Sequence, residues 1–277
     1  MREFTAVEQI ERSIDKKFRA ALWKPFITAI KRYELIREGD AVAVCVSGGK
    51  DSFLLAKLAQ QLARRTEVPF TLRFLTMDPG YNAENRAKVE ENAGKLGIPL
   101  EIFKTDIFDA VAAMGGSPCY MCARMRRGNL YAKARDMGCN KIALAHHLND
   151  VVETTLMGVF YGAQLQAMLP KLRSANFAGM ELIRPLYMVK EDAVRAWRDY
   201  NGLEFIRCAC RFTEYCSADE LENGGGKRQE TKRLLRELKK TNPEVEERIF
   251  RSIHNVKLDT LPGYKRKGRE VSFLDEY

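Results

Sequence analysis

The sequence of 277 residues predicts an α/β fold with a parallel sheet and helices on both of its faces. Short apolar runs of strand length alternate along the chain with longer stretches of helical periodicity. The connections are long enough for helical crossovers, which parallel strands require. Glycine or polar residues follow several of the runs, as expected where ligands bind at the carboxyl ends of strands. The predicted arrangement is therefore Rossmann-like.

Five strands and four helices make up the core of this prediction. The strands are expected at residues 41–46, 70–77, 100–107, 141–147 and 180–188. The helices are expected at residues 50–65, 83–97, 150–162 and 190–202. Three loops that follow strands should converge at one edge of the sheet, and they are residues 47–52, 78–82 and 146–150.

Helical segments are expected on both sides of the sheet region. Residues 6–37 carry apolar side chains at near-helical spacing among lysines and arginines. Beyond residue 217 the chain reads as two charged helices broken at Pro243, followed by a tail with little periodicity. We therefore predict an N-terminal helical segment, a sheet domain and a C-terminal helical region, at residues 1–37, 38–216 and 217–277.

The composition is typical of a globular protein. Hydrophobic residues make up 45% of the chain and charged residues 30%, and no segment approaches about eighteen consecutive apolar residues. The first residues lack an apolar core of signal-peptide length, so we expect a cytoplasmic protein that does not bind membranes. Seven cysteines then indicate thiols, a metal site or catalysis rather than disulfides. The formal net charge of +9 favours a polyanionic partner.

The segment SGGKDS, residues 47–52, lies between the first strand and the following helix. Its two glycines let the backbone approach an anion, and the helix N-terminus adds unpaired amide donors. The two serines can hold a leaving pyrophosphate, Lys50 can neutralise its charge, and Asp51 can hold Mg²⁺ or orient a nucleophile. The predicted ATP-binding residues of this segment are Ser47, Gly48, Gly49, Lys50, Asp51 and Ser52. They resemble the PP-loop of the ATP pyrophosphatase superfamily, which implies cleavage of ATP between its α and β phosphates.

A second motif is the C-x-x-C pair of Cys119 and Cys122. Both would share one face of a helix that starts near Pro118, and Arg126 would lie on the same face. Such a pair is half of a metal site or a redox dithiol, and a structural zinc site and a disulfide are alternatives. The later cysteines that could complete the site are Cys208, Cys210 and Cys216. Two further cysteines are interpreted as packing residues, Cys45 and Cys139.

Several separated segments together resemble one family. They are SGGKDS, CYMCARMRRGNLY, IALAHHLNDVVETTLMGVFYG, MLPKL, IRPL and FIRC. Across roughly residues 15–260 the chain is similar to the TtcA family of tRNA 2-thiocytidine synthetases. The resemblance implies the PP-loop ATP pyrophosphatase fold, the use of ATP and Mg²⁺, and a 4Fe-4S cluster held by three cysteines with one iron left free for sulfur.

The resemblance also assigns residues to the cluster. Cys119 and Cys122 match the first two ligands, and Cys208 matches the cysteine that follows the short strand in the family. The third assignment stays open between Cys208 and its neighbours, because this chain reads Cys-Ala-Cys where the family usually has a second C-x-x-C. Arg126 belongs to a basic group beside these cysteines that suits tRNA phosphates, and we place it with Lys50 and Asp51 among the catalytic residues.

Two other strand ends supply candidate ATP contacts. His146 and His147 end the fourth predicted strand, and the family has a similar His-His followed by two aspartates, of which only Asp150 is present here. A purely structural interpretation is that Asp150 and Glu153 form a capping box. Asp78, in the sequence MDPGYN, is expected near the adenosine half of ATP, although this sequence also suits a plain turn.

These features together predict an ATP-dependent sulfurtransferase that thiolates C2 of cytidine 32 in the tRNA anticodon loop through an adenylated base. The expected partners are tRNA, a cysteine-desulfurase-type sulfur donor, a reductant and a second copy in a homodimer. One alternative is a PP-loop thiolase that acts on tRNA uridine or a small molecule. Another is a zinc-stabilised RNA-binding module. The presence of Lys50 and Asp51 disfavours this alternative.

Overall fold

The computed structural model describes residues 4–107, 118–206, 226–275 and 277, with the backbone alone for residues 118–123. The chain divides into two compact units. One is Met1–Val151 with Met168–Gly225, and the other is Val152–Ala167 with Gly226–Tyr277. The boundary predicted near residue 217 lies outside the described residues, and the three-part division of the chain stays a prediction.

A six-stranded sheet forms the centre of the first unit. Its strands are β1 (Ala41–Cys45), β2 (Thr71–Asp78), β3 (Leu100–Lys104), β4 (Lys141–Ala143), β5 (Lys171–Arg173) and β6 (Glu181–Ile183). The spatial order is β3-β2-β1-β4-β6-β5, and every neighbouring pair is parallel except β5 with β6. The predicted α/β fold with a parallel sheet is therefore confirmed. Strand β1, which precedes the SGGKDS segment, lies in the middle of the sheet.

The helices of the described residues include four that connect β1 to β5, as the alternating pattern predicts. The helices are α1 (Ala6–Asp15), α2 (Lys24–Arg32), α3 (Lys50–Arg65), α4 (Ala83–Leu96), α5 (Pro118–Asp136), α6 (Leu148–Gly162), α7 (Glu191–Tyr200), α8 (Lys227–Thr241) and α9 (Val245–Ser252). Helix α5 starts at Pro118 as predicted, because proline is tolerated where the N–H has no intrahelical acceptor. Within the described ranges, none of the helices combines the length and apolarity that a bilayer span requires.

The sheet core forms because side chains alternate across each strand. Ala43 and Cys45 of β1 belong to a buried cluster with Tyr131 and Ala134 of α5. The alternate residues of β1 point to the opposite side of the sheet, and α3 contacts both β1 and β2. Its residue Phe53 is fully buried. This packing fixes the start of α3 against the end of β1, where the SGGKDS segment lies.

Three strands are shorter than predicted, and one strand was not predicted. The predictions of residues 100–107, 141–147 and 180–188 as strands are too long, because the ladders end at Lys104, Ala143 and Ile183. Strand β6 is followed by Arg184 and then by a proline, which has no N–H to continue a ladder. The additional strand β5 is an antiparallel edge strand of three residues, which is too short to show periodicity.

The N-terminal stretch is not one helix. A π-helical turn at Arg19–Trp23 lies between α1 and α2. Most apolar residues of this stretch recur every four positions, which exceeds the 3.6 residues of an α-helical turn and would rotate the apolar stripe off one face. The wider π-turn compensates for this rotation. All seven apolar residues of the stripe are consequently buried, namely Ile10, Ile14, Phe18, Leu22, Phe26, Ile30 and Leu35.

The second unit contains α8 and α9, which are separated at Pro243 as predicted, and a hairpin near the C-terminus. The hairpin pairs β7 (Gly263–Arg266) with β8 (Arg269–Ser272), within the tail whose sequence shows little periodicity. Its two loop residues, Lys267 and Gly268, both have positive φ, which is the geometry of a type I′ turn. In the sequence, the hairpin is therefore indicated only by the lysine-glycine pair of its loop.

A buried lysine ties the N-terminal helix to the sheet domain. Lys57 of α3 is fully buried, and its Nζ lies 2.6 Å from Glu11 Oε1 of α1 and 2.8 Å from the Leu96 carbonyl oxygen of α4. Burial lowers the pKa of Lys57 more than the Glu11 carboxylate raises it. The ion pair therefore offsets only part of the cost of burying this ammonium group.

The substitution Glu11→Gln should lower the free energy of unfolding by about 2 kcal/mol, because it leaves the Lys57 charge buried without a carboxylate. The matched control is Asp15→Asn, also on α1, which removes an ion pair to the more exposed Arg65. This control should change the free energy of unfolding by less than about 1 kcal/mol. Urea denaturation of the three proteins measures the difference, and equal losses for the two variants would contradict this assignment.

Candidate active site

The turn between β1 and α3 has the geometry of an anion cradle. Helix α3 begins at Lys50, so the amides of its first turn have no intrahelical acceptors and point back towards the turn. Gly48 has a φ of +89°, and a Cβ atom at this position would lie 2.4 Å from Ile206 Cδ1. Glycine is therefore required at position 48 both by the backbone conformation and by the space available.

Two serine hydroxyls close the turn. Ser52 Oγ accepts hydrogen bonds from the backbone N–H of Ser47 at 3.1 Å and from the Ser47 hydroxyl at 3.2 Å. It donates to the carbonyl oxygen of Gly49 at 2.8 Å. The structure thus brings the predicted pyrophosphate-binding residues together in one compact turn.

Lys50 lies between two carboxylates at the start of α3. Its Nζ is 3.0 Å from Asp51 Oδ2 and 3.2 Å from Oε1 of Glu191, the first residue of α7. Arg195, one turn further along α7, lies 3.0 Å from the same Glu191 oxygen. The Glu191 side chain is only 13% exposed, so solvent screens these contacts weakly. A residue from another element therefore positions the lysine of the SGGKDS segment.

Glu191 was not predicted from the sequence as a site residue. An acidic residue in the first turn of a helix is common because it favours the helix dipole, so its identity gave no signal of a functional role. The structure also shows a role for Asn149, which occupies the position where the family that the chain resembles has an aspartate. Asn149 Oδ1 accepts a hydrogen bond from the Glu191 N–H at 2.9 Å and so fixes the start of α7 beside α6.

The capping pair of α6 is His147 with Asp150. The predicted capping pair, Asp150 with Glu153, is therefore wrong. Because α6 starts immediately after His147, that residue is the N-cap and Asp150 occupies the third helical position. Asp150 Oδ2 accepts from the His147 N–H at 3.0 Å, and His147 Nδ1 accepts from the Asp150 N–H at 3.4 Å. Glu153 instead forms an ion pair with Arg228 at 3.2 Å.

This capping geometry aims the imidazole of His147 at Asp51. His147 Nδ1 lies 3.3 Å from Asp150 Oδ2, and His147 Nε2 lies 3.8 Å from Asp51 Oδ1. That oxygen of Asp51 is buried, and no donor among the described residues lies within hydrogen-bonding distance of it. Asp51 therefore presents a buried acceptor oxygen between the end of β4 and the turn after β1.

Asp78 organises the loop that follows β2. Its Oδ1 accepts from the N–H groups of Gly80 at 2.9 Å and Tyr81 at 2.7 Å, and its Oδ2 lies 2.9 Å from Arg86 Nη1. Burial raises the pKa of Asp78, but these donors outweigh it and hold the pKa below the ordinary value of 3.8. The Tyr81 hydroxyl donates to the Ser47 carbonyl oxygen at 3.4 Å. The loop is thereby tied to the turn after β1.

The other predicted site residues are distributed between β4 and α5. His146 is half-buried and precedes the N-cap of α6, and Arg126 is half-buried on α5. Cys119 and Cys122 lie in the first turns of α5, three residues apart. Cys208 lies outside the described residues.

Cys45 and Cys139 are confirmed as packing residues. Both are free and buried in the core cluster beside α5. Burial, with a smaller effect from Cys139, raises the pKa of Cys45 to about 12. Burial also raises the pKa of Cys139. Because metals bind the thiolate, these two protonated thiols are unsuited as ligands.

Known proteins with the same sequence pattern include named enzymes. The model of the PP-loop domain family matches residues 13–210. The tRNA-cytidine(32) 2-sulfurtransferase of Geobacter sulfurreducens is 36% identical over 231 residues, which are 82% of this chain and 86% of that protein. The enzyme of the same name from Pelobacter propionicus is 34% identical over 255 residues, which are 91% of this chain and 90% of that protein.

A solved structure supports the same fold. The U34-tRNA thiolase NcsA from Methanococcus maripaludis, solved with its 4Fe-4S cluster, matches with a TM-score of 0.65 at 20% identity. The match covers 88% of this chain and 80% of that chain. The match to the PP-loop model and the sequence identities to the named relatives show that the chain belongs to the PP-loop family of tRNA-cytidine(32) 2-sulfurtransferases.

Proposed function

We propose that this protein catalyses the ATP-dependent 2-thiolation of cytidine 32 in tRNA, and that ATP is converted to AMP and pyrophosphate. The observation that carries the proposal is the turn at residues 47–52, a PP-loop at the carboxyl edge of the sheet. Relatives that share 34–38% identity with most of this chain are named for that activity.

The reaction needs ATP because the oxygen at C2 of cytosine is a poor leaving group. Attack of this oxygen on the α-phosphorus of ATP forms a base–phosphate bond and releases pyrophosphate. Attack of sulfur on C2 then breaks the C2–O bond. AMP leaves with the former carbonyl oxygen in its phosphate group, so atoms and charges balance over the two steps.

The PP-loop supplies donors for the charge that develops on the leaving pyrophosphate. The amides of the two glycines and the two serine hydroxyls are its proposed ligands. Lys50 adds a positive charge, and phosphate oxygens would compete for its ammonium group with Asp51 and Glu191. We expect Glu191 to retain Lys50 over the turn until the triphosphate binds.

Mg²⁺ fits one feature of this site. Asp51 Oδ1 is a buried carboxylate oxygen to which no described residue donates a hydrogen bond, and Mg²⁺ prefers such oxygen ligands. Among the described residues no three His, Cys, Asp or Glu side chains are grouped as a metal site. Mg²⁺ usually retains several waters and binds one or two carboxylates together with substrate phosphates, so a single aspartate is compatible with it.

The adenosine half of ATP is proposed to lie between the ends of β1 and β2. Asp78 acts there mainly through the loop that it orders, since both of its oxygens accept hydrogen bonds within that loop. His146 follows β4 at the same edge of the sheet, and we retain it as a candidate ATP contact.

A 4Fe-4S cluster is the proposed holder of the sulfur atom that is transferred. Cys119 and Cys122, at the C-x-x-C spacing in the first turns of α5, are proposed as two of its ligands. Cys208 is the proposed third ligand, and three ligands would leave one iron open to a sulfur atom. Arg126, four residues after Cys122, is proposed to act beside this centre.

The remaining partners follow from the proposed chemistry. Sulfur must come from a donor of the cysteine-desulfurase type, and the cluster requires a reductant. The positive charge of the chain suits tRNA, whose single-stranded loop bases can be splayed out for modification. A homodimer and a cytoplasmic location complete the proposal.

The substitution Asp51→Ala should lower 2-thiocytidine formation by at least about a hundredfold and leave the iron content unchanged. The assay combines protein purified without oxygen, tRNA, ATP and a sulfide source, followed by nucleoside mass spectrometry. Asp136→Ala is the control, because that side chain is 67% exposed on α5. Retained activity in Asp51→Ala would contradict the assigned role, and a thiouridine product would identify another acceptor base.

The substitution Cys208→Ala should remove most of the iron and acid-labile sulfide, of which the unmodified chain should contain about four each. Cys139→Ala, at a buried cysteine outside the proposed site, should retain both. Normal iron in Cys208→Ala would move the third ligand to Cys210 or Cys216. One zinc without sulfide in the unmodified protein would contradict the cluster.

A further inference from the structure

Arg184 is a buried cation that forms no ion pair with a carboxylate of the described residues. It follows β6 directly, and only 8% of the residue is exposed. Its Nη1 donates to the carbonyl oxygen of Leu169, which is a neutral acceptor. Its Nε is buried, and no acceptor among the described residues lies within hydrogen-bonding distance. Buried arginines are normally paired, because an isolated buried charge is costly.

The surroundings of Arg184 are themselves electropositive. Burial, together with a smaller effect from the positive charge of Arg127 on α5, lowers the pKa of Arg184 to about 10. Asp150 opposes this effect only over a longer range, without a hydrogen bond to the guanidinium group. A pKa near 10 still leaves Arg184 charged at neutral pH. The two arginines thus form a local positive region, and no carboxylate of the described residues forms an ion pair with either of them.

This positive region lies at the same edge of the sheet as the proposed site. Strands β4 and β6 are parallel neighbours with Ala143 opposite Ile183, so Arg184 and the two histidines after β4 lie at the same edge of the sheet. The PP-loop follows β1, and β1 is separated from β6 by β4. Arg184 is therefore two strand spacings, about 10 Å, from the strand whose end carries the proposed ATP phosphate site. Arg127 comes from the helix that carries Cys119 and Cys122.

We propose that Arg184, assisted by Arg127, binds a phosphodiester group of tRNA next to the cytidine that enters the site. This inference rests on the proposed function. A guanidinium group matches a phosphate with two parallel hydrogen bonds, and a phosphate would supply the counter-ion and the acceptor for Nε. The ATP phosphates are the other possible anion, but they belong at the PP-loop on the far side of β4. The distance between the two sites favours tRNA.

Equilibrium binding of tRNA without ATP tests this assignment, with the full-length protein purified without oxygen. Arg184→Met should weaken tRNA binding by about tenfold or more, because a charge-assisted hydrogen bond is lost. The slope of log affinity against log salt concentration should become shallower by about 0.7 to 0.9. Arg184→Lys should lie between Arg184→Met and the unmodified protein. The control is Arg173→Met on β5, whose side chain is 91% exposed and should matter little.

Thermal unfolding separates this role from a structural one. An arginine without a counter-ion should be replaceable by methionine with little loss of melting temperature. If Arg184→Met does not fold, Arg127→Met provides the same binding test at an exposed position. The inference would be overturned by any of three results: unchanged tRNA affinity in both variants, an unchanged salt slope, or weaker ATP binding with normal tRNA binding. Failure of the unmodified protein to thiolate tRNA would instead overturn the proposed function.

Discussion

The tight turn between β1 and α3 is the constraint on which the site depends. Gly48 must have a positive φ and must lack a side chain, because Ile206 occupies the space that a Cβ atom would need. Ser52 then closes the turn through three hydrogen bonds. Since β1 lies in the middle of the sheet, the turn sits where the ends of β2 and β4 can both reach it.

Short-range contacts lock these strand ends to one another. The loop after β2 reaches the turn through Tyr81, and the end of β4 reaches Asp51 through His147. Helix α7 reaches Lys50 through Glu191, whose backbone is fixed by Asn149. The site is therefore held in place by hydrogen bonds, ion pairs and close polar contacts between elements, which is how a reaction that depends on positioning charge is prepared in advance.

The sequence allowed the turn to be predicted because all of its signals are local: a buried strand, two glycines and a helix start within ten residues. The parallel sheet and α3 were predicted from the alternation of apolar runs and helical periodicity. In contrast, Lys50 and Glu191 are 141 residues apart, and no local pattern connects them. The three-residue strands β4, β5 and β6 are too short to show alternation, so their ends were misplaced or missed. The capping pair was misplaced by one turn because histidine is not a usual N-cap.

In the proposed reaction, the base oxygen attacks the α-phosphorus of ATP before sulfur attacks C2. Transfer of this oxygen can be followed with tRNA that carries ¹⁸O at O2 of cytidine 32. After turnover, mass spectrometry of AMP and pyrophosphate locates the label. We expect the phosphate group of AMP to carry the ¹⁸O in proportion to the 2-thiocytidine formed. Unlabelled AMP, label in pyrophosphate, or ADP as the nucleotide product would contradict the proposed reaction.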